Sequence, residues 1–480
     1  MSESITKKTV TGVAWTYLSY ILTKGVVLVT TAVLTRLISQ SEFGIVGFAI
    51  TTMSFLDAVR DLGISFALIQ RRGDIKEAAT TAFWISMATN AVMWGITIGI
   101  SPFVADFFRE PQITTVLPVL SASFFLSSLG GTHDTILHRE MKFSRRMIPV
   151  LAESFSKGVV SIGLAMSGNG IWALVIGQIV GRTAFTIVAW IIVPWRPGFS
   201  FSVPIAKELF SYGYKIAIDN LISNFQANID YVFIGRFLGD ASLGLYTIAF
   251  RLPEIVIINL CNVIAQVLFP AYSILQENRK QLQDGMLMAI RYVSLVTFPA
   301  GVGMALVSRP FTEVVFGKDW VDAAPIMAAL AFYGVFLSVS WNIGDIYKAV
   351  GRPDILWKTA AFEFALLGPV LYFLAHESAF AVSLGHAVVA FIVSTTRLII
   401  GSWLIEVPMP KILRQFVPAT VGSAVMGLAV AGMLILTAEW PRALALLLLI
   451  LTGAVTYGIA MWGLERDKIM ELRMQFSSSN

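Results

Sequence analysis

The residues best placed to do chemistry lie in one stretch, Lys215 to Phe250, KIAIDNLISNFQANIDYVFIGRFLGDASLGLYTIAF. Wound as an α-helix at about 100° per residue, its first half gathers Ile218, Leu221, Ile222, Phe225, Ile229 and Val232 on one side. Lys215, Asp219, Ser223, Gln226 and Asp230 form a narrow stripe opposite, with Asn220, Asn224 and Asn228 beside it. Carboxylates and amides so arranged suit the binding of cations and hydroxyls. A charge at bilayer depth is costly unless it meets a partner or a wet cavity, so the stripe is expected to wall a water-filled passage. Two other roles fit it. The helix could lie flat on a membrane, although such helices are typically cationic, or the stripe could glue neighbouring helices together.

Further charges sit inside apolar runs. Eight are cations: Lys24, Arg60, Lys157, Arg182, Lys215, Arg251, Arg291 and Arg397. Seven are acids: Asp57, Asp61, Glu153, Asp219, Asp230, Glu254 and Glu363. Asp57 with Arg60, Glu153 with Lys157, and Arg251 with Glu254 stand three or four apart, where helical neighbours pair. Enzymatic signatures are missing. There is no G-x-x-x-x-G-K-[ST] loop for ATP and no H-E-x-x-H zinc pattern. The lone Cys261 excludes an internal disulfide and a cysteine metal cluster. His133 and His138, five apart at a cytoplasmic helix end, read as ordinary loop residues.

The elements that position these groups follow from hydropathy. Of 480 residues 56% are hydrophobic and 14% charged, with a mean hydropathy of +0.74, against about 25% charged in soluble domains. Apolar runs of spanning length fall near 10–37, 44–66, 79–105, 114–132, 147–167 and 171–193, then near 210–238, 244–271, 287–308, 323–346, 355–375, 379–403, 414–437 and 442–464. The chain is therefore expected to be an all-α polytopic membrane protein of about fourteen transmembrane helices. The first run is too long for a signal peptide. An even count puts both ends on one side, and 21 of the loop and tail cations share that side against six opposite. By the positive-inside rule both termini are expected in the cytoplasm. Every loop is short, which disfavours a catalytic domain such as a membrane polymerase would need.

The first helix echoes the seventh at an offset of 200: Arg36 matches Arg236, Gly44 matches Gly244, and Ala49 matches Ala249. Pro118 and Pro325 open the fourth and tenth helices, and Asp134 and Asp345 close them. Six helices per unit make the repeats parallel, with a cavity between them. The expected organisation is a six-helix lobe at 1–194, a linker at 195–208, a second lobe at 209–404, and two extra helices with a tail at 405–480.

Four segments carry a resemblance: VLTRLISQSEFG, DLGISFALIQRR, the block from Asp230 to Glu254, and GDIYKAVGRPDILWK. Together they resemble the polysaccharide flippases of the multidrug/oligosaccharidyl-lipid/polysaccharide exporter superfamily, in the branch exporting colanic-acid-type units. The resemblance implies alternating access, a cationic central cavity and an undecaprenyl-pyrophosphate-linked oligosaccharide as substrate. It implies membrane lipid as a partner, a polysaccharide polymerase beside the flippase, no nucleic acid, and the bacterial inner membrane as location. It implies no cofactor, with coupling to H+ or Na+. On that basis Lys24, Arg60, Arg251 and Arg291 are expected to meet the pyrophosphate. Asp219, Asn220, Asn224, Gln226 and Asp230 are expected to line the cavity, one of the two acids carrying the coupling ion. Asp219 and Asp230 lie eleven residues apart, about 16 Å along the axis. A drug exporter of the same superfamily is the alternative; the slight excess of deep cations favours an anionic substrate.

Overall fold

With no water in the hydrocarbon to accept backbone hydrogen bonds, long apolar runs must satisfy them internally, as helices. The computed structural model describes residues 2–71, 75–275 and 278–478, and no strand occurs among them. The helices are α1 (Ser2–Leu34), α2 (Gln40–Arg60), α3 (Ile64–Gln70), α4 (Ile75–Phe108), α5 (Ile113–Arg139), α6 (Phe143–Met166), α7 (Gly170–Ile192) and α8 (Val203–Pro253). They continue as α9 (Asn259–Leu275), α10 (Arg279–Phe311), α11 (Ala323–Trp341), α12 (Ile343–Ala349), α13 (Asp354–Leu374), α14 (Ala379–Leu404), α15 (Met409–Leu436) and α16 (Arg442–Ser478). Local chemistry sets several starts. Ser39 and Glu42 form a reciprocal capping box at α2, and Asn278 and Ser378 cap α10 and α14 through their side chains.

Among the described residues thirteen helical segments are long and apolar enough to cross a membrane. One of them, Asn220–Asn262, has 43 residues, twice what a bilayer needs. Gly239 divides it: its φ of 83° and ψ of −173° break the helical path, in a region that side chains other than glycine's hydrogen rarely adopt. The two halves together account for the fourteen crossings expected.

The chain forms two compact units, residues 1–244 and 245–480. In the first, α6 packs on α7 and α1, and α5 on α4, α7 and α2. Its core gathers Ile64, Leu68, Ala79, Ala82, Leu137 and Leu209. The segment expected as a linker, 195–208, is pinned to this unit. Trp84 Nε1 donates to the Gly198 carbonyl at 2.8 Å, and Ser202 N to Thr81 Oγ1 at 3.2 Å. In the second unit α10 packs on α11, α15 and α16, while α14 packs on α11 and α13. Among the described residues, one of its apolar clusters gathers Met286, Ile346, Tyr347 and Ile412. Tyr457 of α16 donates its hydroxyl to the Leu295 carbonyl of α10 at 2.6 Å, fastening the last helix.

Candidate functional site

Within the first unit, α2 and α8 run antiparallel in close contact along their length. Near one end Arg71 pairs with Glu208 at 3.4 Å, and a Cβ on Gly63 or Gly213 would overlap the other's backbone. Midway, the rings of Phe55 and Phe225 lie 5.6 Å apart. Further along, Phe48 fills the space beside Gly235. At the far end Ser41 Oγ donates to the Asp240 carboxylate. There a Cβ on Gly44 would overlap the Asp240 carbonyl, and one on Gly244 the Gln40 carbonyl. Residues 40 and 44 thus meet 244 and 240 reciprocally, as an offset of 200 requires of two elements related by a twofold axis.

The polar stripe of α8 divides along this seam. Asn220 is exposed, while Asn224, Gln226 and Asn228 are half-buried. Asn228 Nδ2 donates to the Asn224 carbonyl at 2.9 Å and to its side-chain oxygen at 3.1 Å. Asp230 is only 1% exposed, and its Oδ1 accepts from the Tyr231 N–H at 3.0 Å. The side chains of Lys215 and Asp219 lie outside the described residues. On the apolar face Ile218, Leu221, Ile222 and Phe225 are exposed, as a helix against lipid allows.

The four cations divide two and two between the units. In the first, Lys24 is half-buried on α1, its Nζ 5.7 Å from the centre of the Tyr20 ring. Arg60 ends α2 and ion-pairs with Asp57. It also donates to Asn90 Oδ1 at 3.1 Å and lies 5.3 Å from the Phe124 ring centre. It borders a cavity of about 330 Å³ that Asp61, Asn90, Asp134, His138 and Arg146 also line. In the second unit, Arg251 pairs with Glu254 at 3.6 Å. The π-helical turn Glu254–Ile258 follows directly, a distortion frequent at functional sites. Arg291 pairs with Glu465 of α16 and donates to Gln415 of α15 at 3.2 Å.

Several polar groups escaped sequence reasoning because their partners stand on other helices. Arg146 grips Asp134 in a two-pronged bond of 2.7 and 2.9 Å, and Asp134 lies inside α5 rather than closing it. Glu153 pairs with Arg182 of α7 at 3.2 Å, and Lys157 donates to Gln178; the spacing had matched Glu153 with Lys157. Arg397 of α14 donates to Glu363 of α13 at 2.9 Å. His133 is no loop residue: it is buried in α5, stacked on Trp190, with Nε2 3.2 Å from the Trp195 carbonyl. Among the described residues no group of three or more His, Cys, Asp or Glu could hold a metal ion.

The profile of the family described as polysaccharide biosynthesis protein matches residues 33–325. The chain belongs to this family. It is 27% identical to the teichuronic acid biosynthesis protein TuaB of Bacillus subtilis, over 84% of this chain and 83% of that one. It is 26% identical to the lipopolysaccharide biosynthesis protein WzxC of Escherichia coli, over 77% and 75%. With the succinoglycan biosynthesis transport protein ExoT of Rhizobium meliloti it shares 27% over 78% and 76%. In fold it resembles the lipid II flippase MurJ in an inward closed conformation, with a TM-score of 0.75 at 16% identity, over 96% of this chain and all of that one. An inward-facing multidrug resistance transporter of the MOP superfamily gives 0.65, over 81% and 94%. The family member described here thus has the fold of membrane transporters.

Proposed function

We propose that this family member is a flippase, a transporter and not an enzyme, that carries undecaprenyl-pyrophosphate-linked oligosaccharide units from the cytoplasmic to the periplasmic leaflet by alternating access. The products feed exopolysaccharide, capsule or O-antigen synthesis. The observation that carries this reading is the fold shared with a lipid II flippase over 96% of the chain, in a family of polysaccharide biosynthesis proteins. The chemistry agrees. A pyrophosphate in a partly desolvated passage needs fixed cations, for which Lys24, Arg60, Arg251 and Arg291 are the candidates. A saccharide needs amides, which Asn220, Asn224 and Gln226 supply. Asp219 or Asp230 would bind and release the coupling H+ or Na+, since an acid inside an apolar helix is kept at a cost that a bound ion offsets. Both termini face the cytoplasm of a bacterial inner membrane, and a polymerase takes up the flipped unit.

The experiment is deletion of the gene followed by mass spectrometry of the lipid fraction. The flippase reading requires a lipid-linked saccharide to accumulate, with return to normal on complementation. The likeness to a multidrug transporter supports a second reading, in which deletion leaves those lipids unchanged and raises sensitivity to organic cations.

A further inference from the structure

We propose that the second unit binds one anionic glycerophospholipid in the groove where α13 begins and α14 ends. The groove encloses about 340 Å³, with Arg352 and Lys358 among its lining together with Phe362, Ile400, Trp403 and Leu404. Asp354 starts one membrane-crossing segment and Leu404 ends another. The groove therefore sits at a membrane boundary. Trp403 is 83% exposed, and Trp357, whose ring centre lies 5.8 Å from Lys358 Nζ, is 64% exposed. Indoles left uncovered at such a level belong to the aromatic belt between headgroups and hydrocarbon.

Its two ends differ in chemistry as the two ends of a phospholipid do. Arg352 donates to Asp354 through Nε at 2.8 Å and Nη2 at 3.1 Å, and Lys358 Nζ donates to the same carboxylate at 2.8 Å. Asp354 thereby orients both cations without using up their donors, since a guanidinium has five N–H groups and an ammonium three. Two cations and one carboxylate leave a single net positive charge. That balances the one charge of a phosphodiester and falls short of the two or more on a pyrophosphate, so a glycerophospholipid fits better than a pyrophosphate-linked lipid. A free inorganic anion would engage the cations and leave Phe362, Ile400 and Leu404 wet. An acyl chain covers them. The adjoining cleft shares Arg352, Trp403 and Leu404 and adds Arg279, which Glu406 neutralises at 2.8 Å. The charge that selects the headgroup thus rests on Arg352 and Lys358, as in basic pockets between transmembrane helices that capture anionic lipids.

The test is native mass spectrometry of the purified full chain titrated with phosphatidylglycerol, phosphatidylcholine, undecaprenyl phosphate or inorganic phosphate. One phosphatidylglycerol should be retained about fivefold or more above phosphatidylcholine, the worth of one net charge at a membrane surface. R352Q/K358Q should erase that preference while K411Q keeps it. Should the double variant fail to fold, K358Q alone, which leaves Arg352 and Asp354 at net zero, should bring retention of the two phospholipids close to equal, and D354N, which adds net positive charge, should not weaken the preference. Equal retention of the two phospholipids overturns the proposal. So does displacement of phosphatidylglycerol by inorganic phosphate, or a preference for undecaprenyl phosphate that R352Q/K358Q removes.

Discussion

A carboxylate 1% exposed in an apolar helix, as Asp230 is, must be compensated by hydrogen bonds or by an ion. If Asp230 or Asp219 carries the coupling ion, Asp→Asn at one of them should abolish the pH or sodium dependence of export in vesicles. Normal export with unchanged ion responses in both variants would sink the coupling role. Lys24→Ala and Arg251→Ala are expected to stop export at near-normal protein levels, exchange of either for the other cation to retain part of it, and Lys411→Ala to be harmless. Complementation with immunoblotting checks all three. Arg291 calls for a different measurement, because Glu465, its partner, is 5% exposed in its side chain. Arg291→Ala strands that carboxylate and should cost about 3–5 kcal/mol of stability, read as a lowered melting temperature. Adding Glu465→Leu should restore much of it. Export in the stable double variant then separates substrate contact from helix pairing.

At the scale of elements, the antiparallel seam of α2 and α8 rests on glycines where backbones nearly touch. Gly44→Ala and Gly244→Ala each push a methyl group into a carbonyl of the other helix, and both are expected to weaken the seam and lower export. Gly25→Ala, with nothing within 4 Å of its Cβ, is the matched control. Equal behaviour of all three would show that the seam tolerates separation. Gly239 differs, having open space around its Cβ but a φ of 83°. Gly239→Ala should therefore lose about 1–3 kcal/mol through backbone strain alone, measurable by thermal unfolding. A variant as stable as the parent would mean that the break moves elsewhere.

For the whole molecule, the distribution of loop cations predicts which ends and loops share a compartment. Reporter fusions after Lys76, Arg146, Arg279 and Lys468 should report cytoplasm, and fusions near Arg109, Asn169 and Lys318 periplasm. Finding Arg146 outside would overturn the orientation. The 43-residue segment Asn220–Asn262 makes the sharpest case. A reporter placed at Gly239 should lie opposite to one at Lys207, since the break there turns one long segment into two crossings.

The apolar runs alone determined the helices, because a chain in hydrocarbon has few other ways to satisfy its backbone. The spacing of Arg36, Gly44, Arg236 and Gly244 marked the repeat, and Gly44 and Gly244 stand where two backbones meet. Pairs on a single helix were equally legible: Asp57 does pair with Arg60, and Arg251 with Glu254, at the separations one helical turn dictates. Helical spacing misassigned Glu153, and it left the other partners across helices unread. Glu153 goes to Arg182, Asp134 to Arg146, Glu363 to Arg397 and Arg291 to Glu465. Each joins residues on different helices, and a hydropathy pattern records which face of a helix is polar but not which helix that face will meet. The tertiary structure decided those partners, and with them the burial of Asp230 and the exposure of Asn220 on neighbouring stripes of one helix, because packing and not periodicity sets how much water reaches each turn.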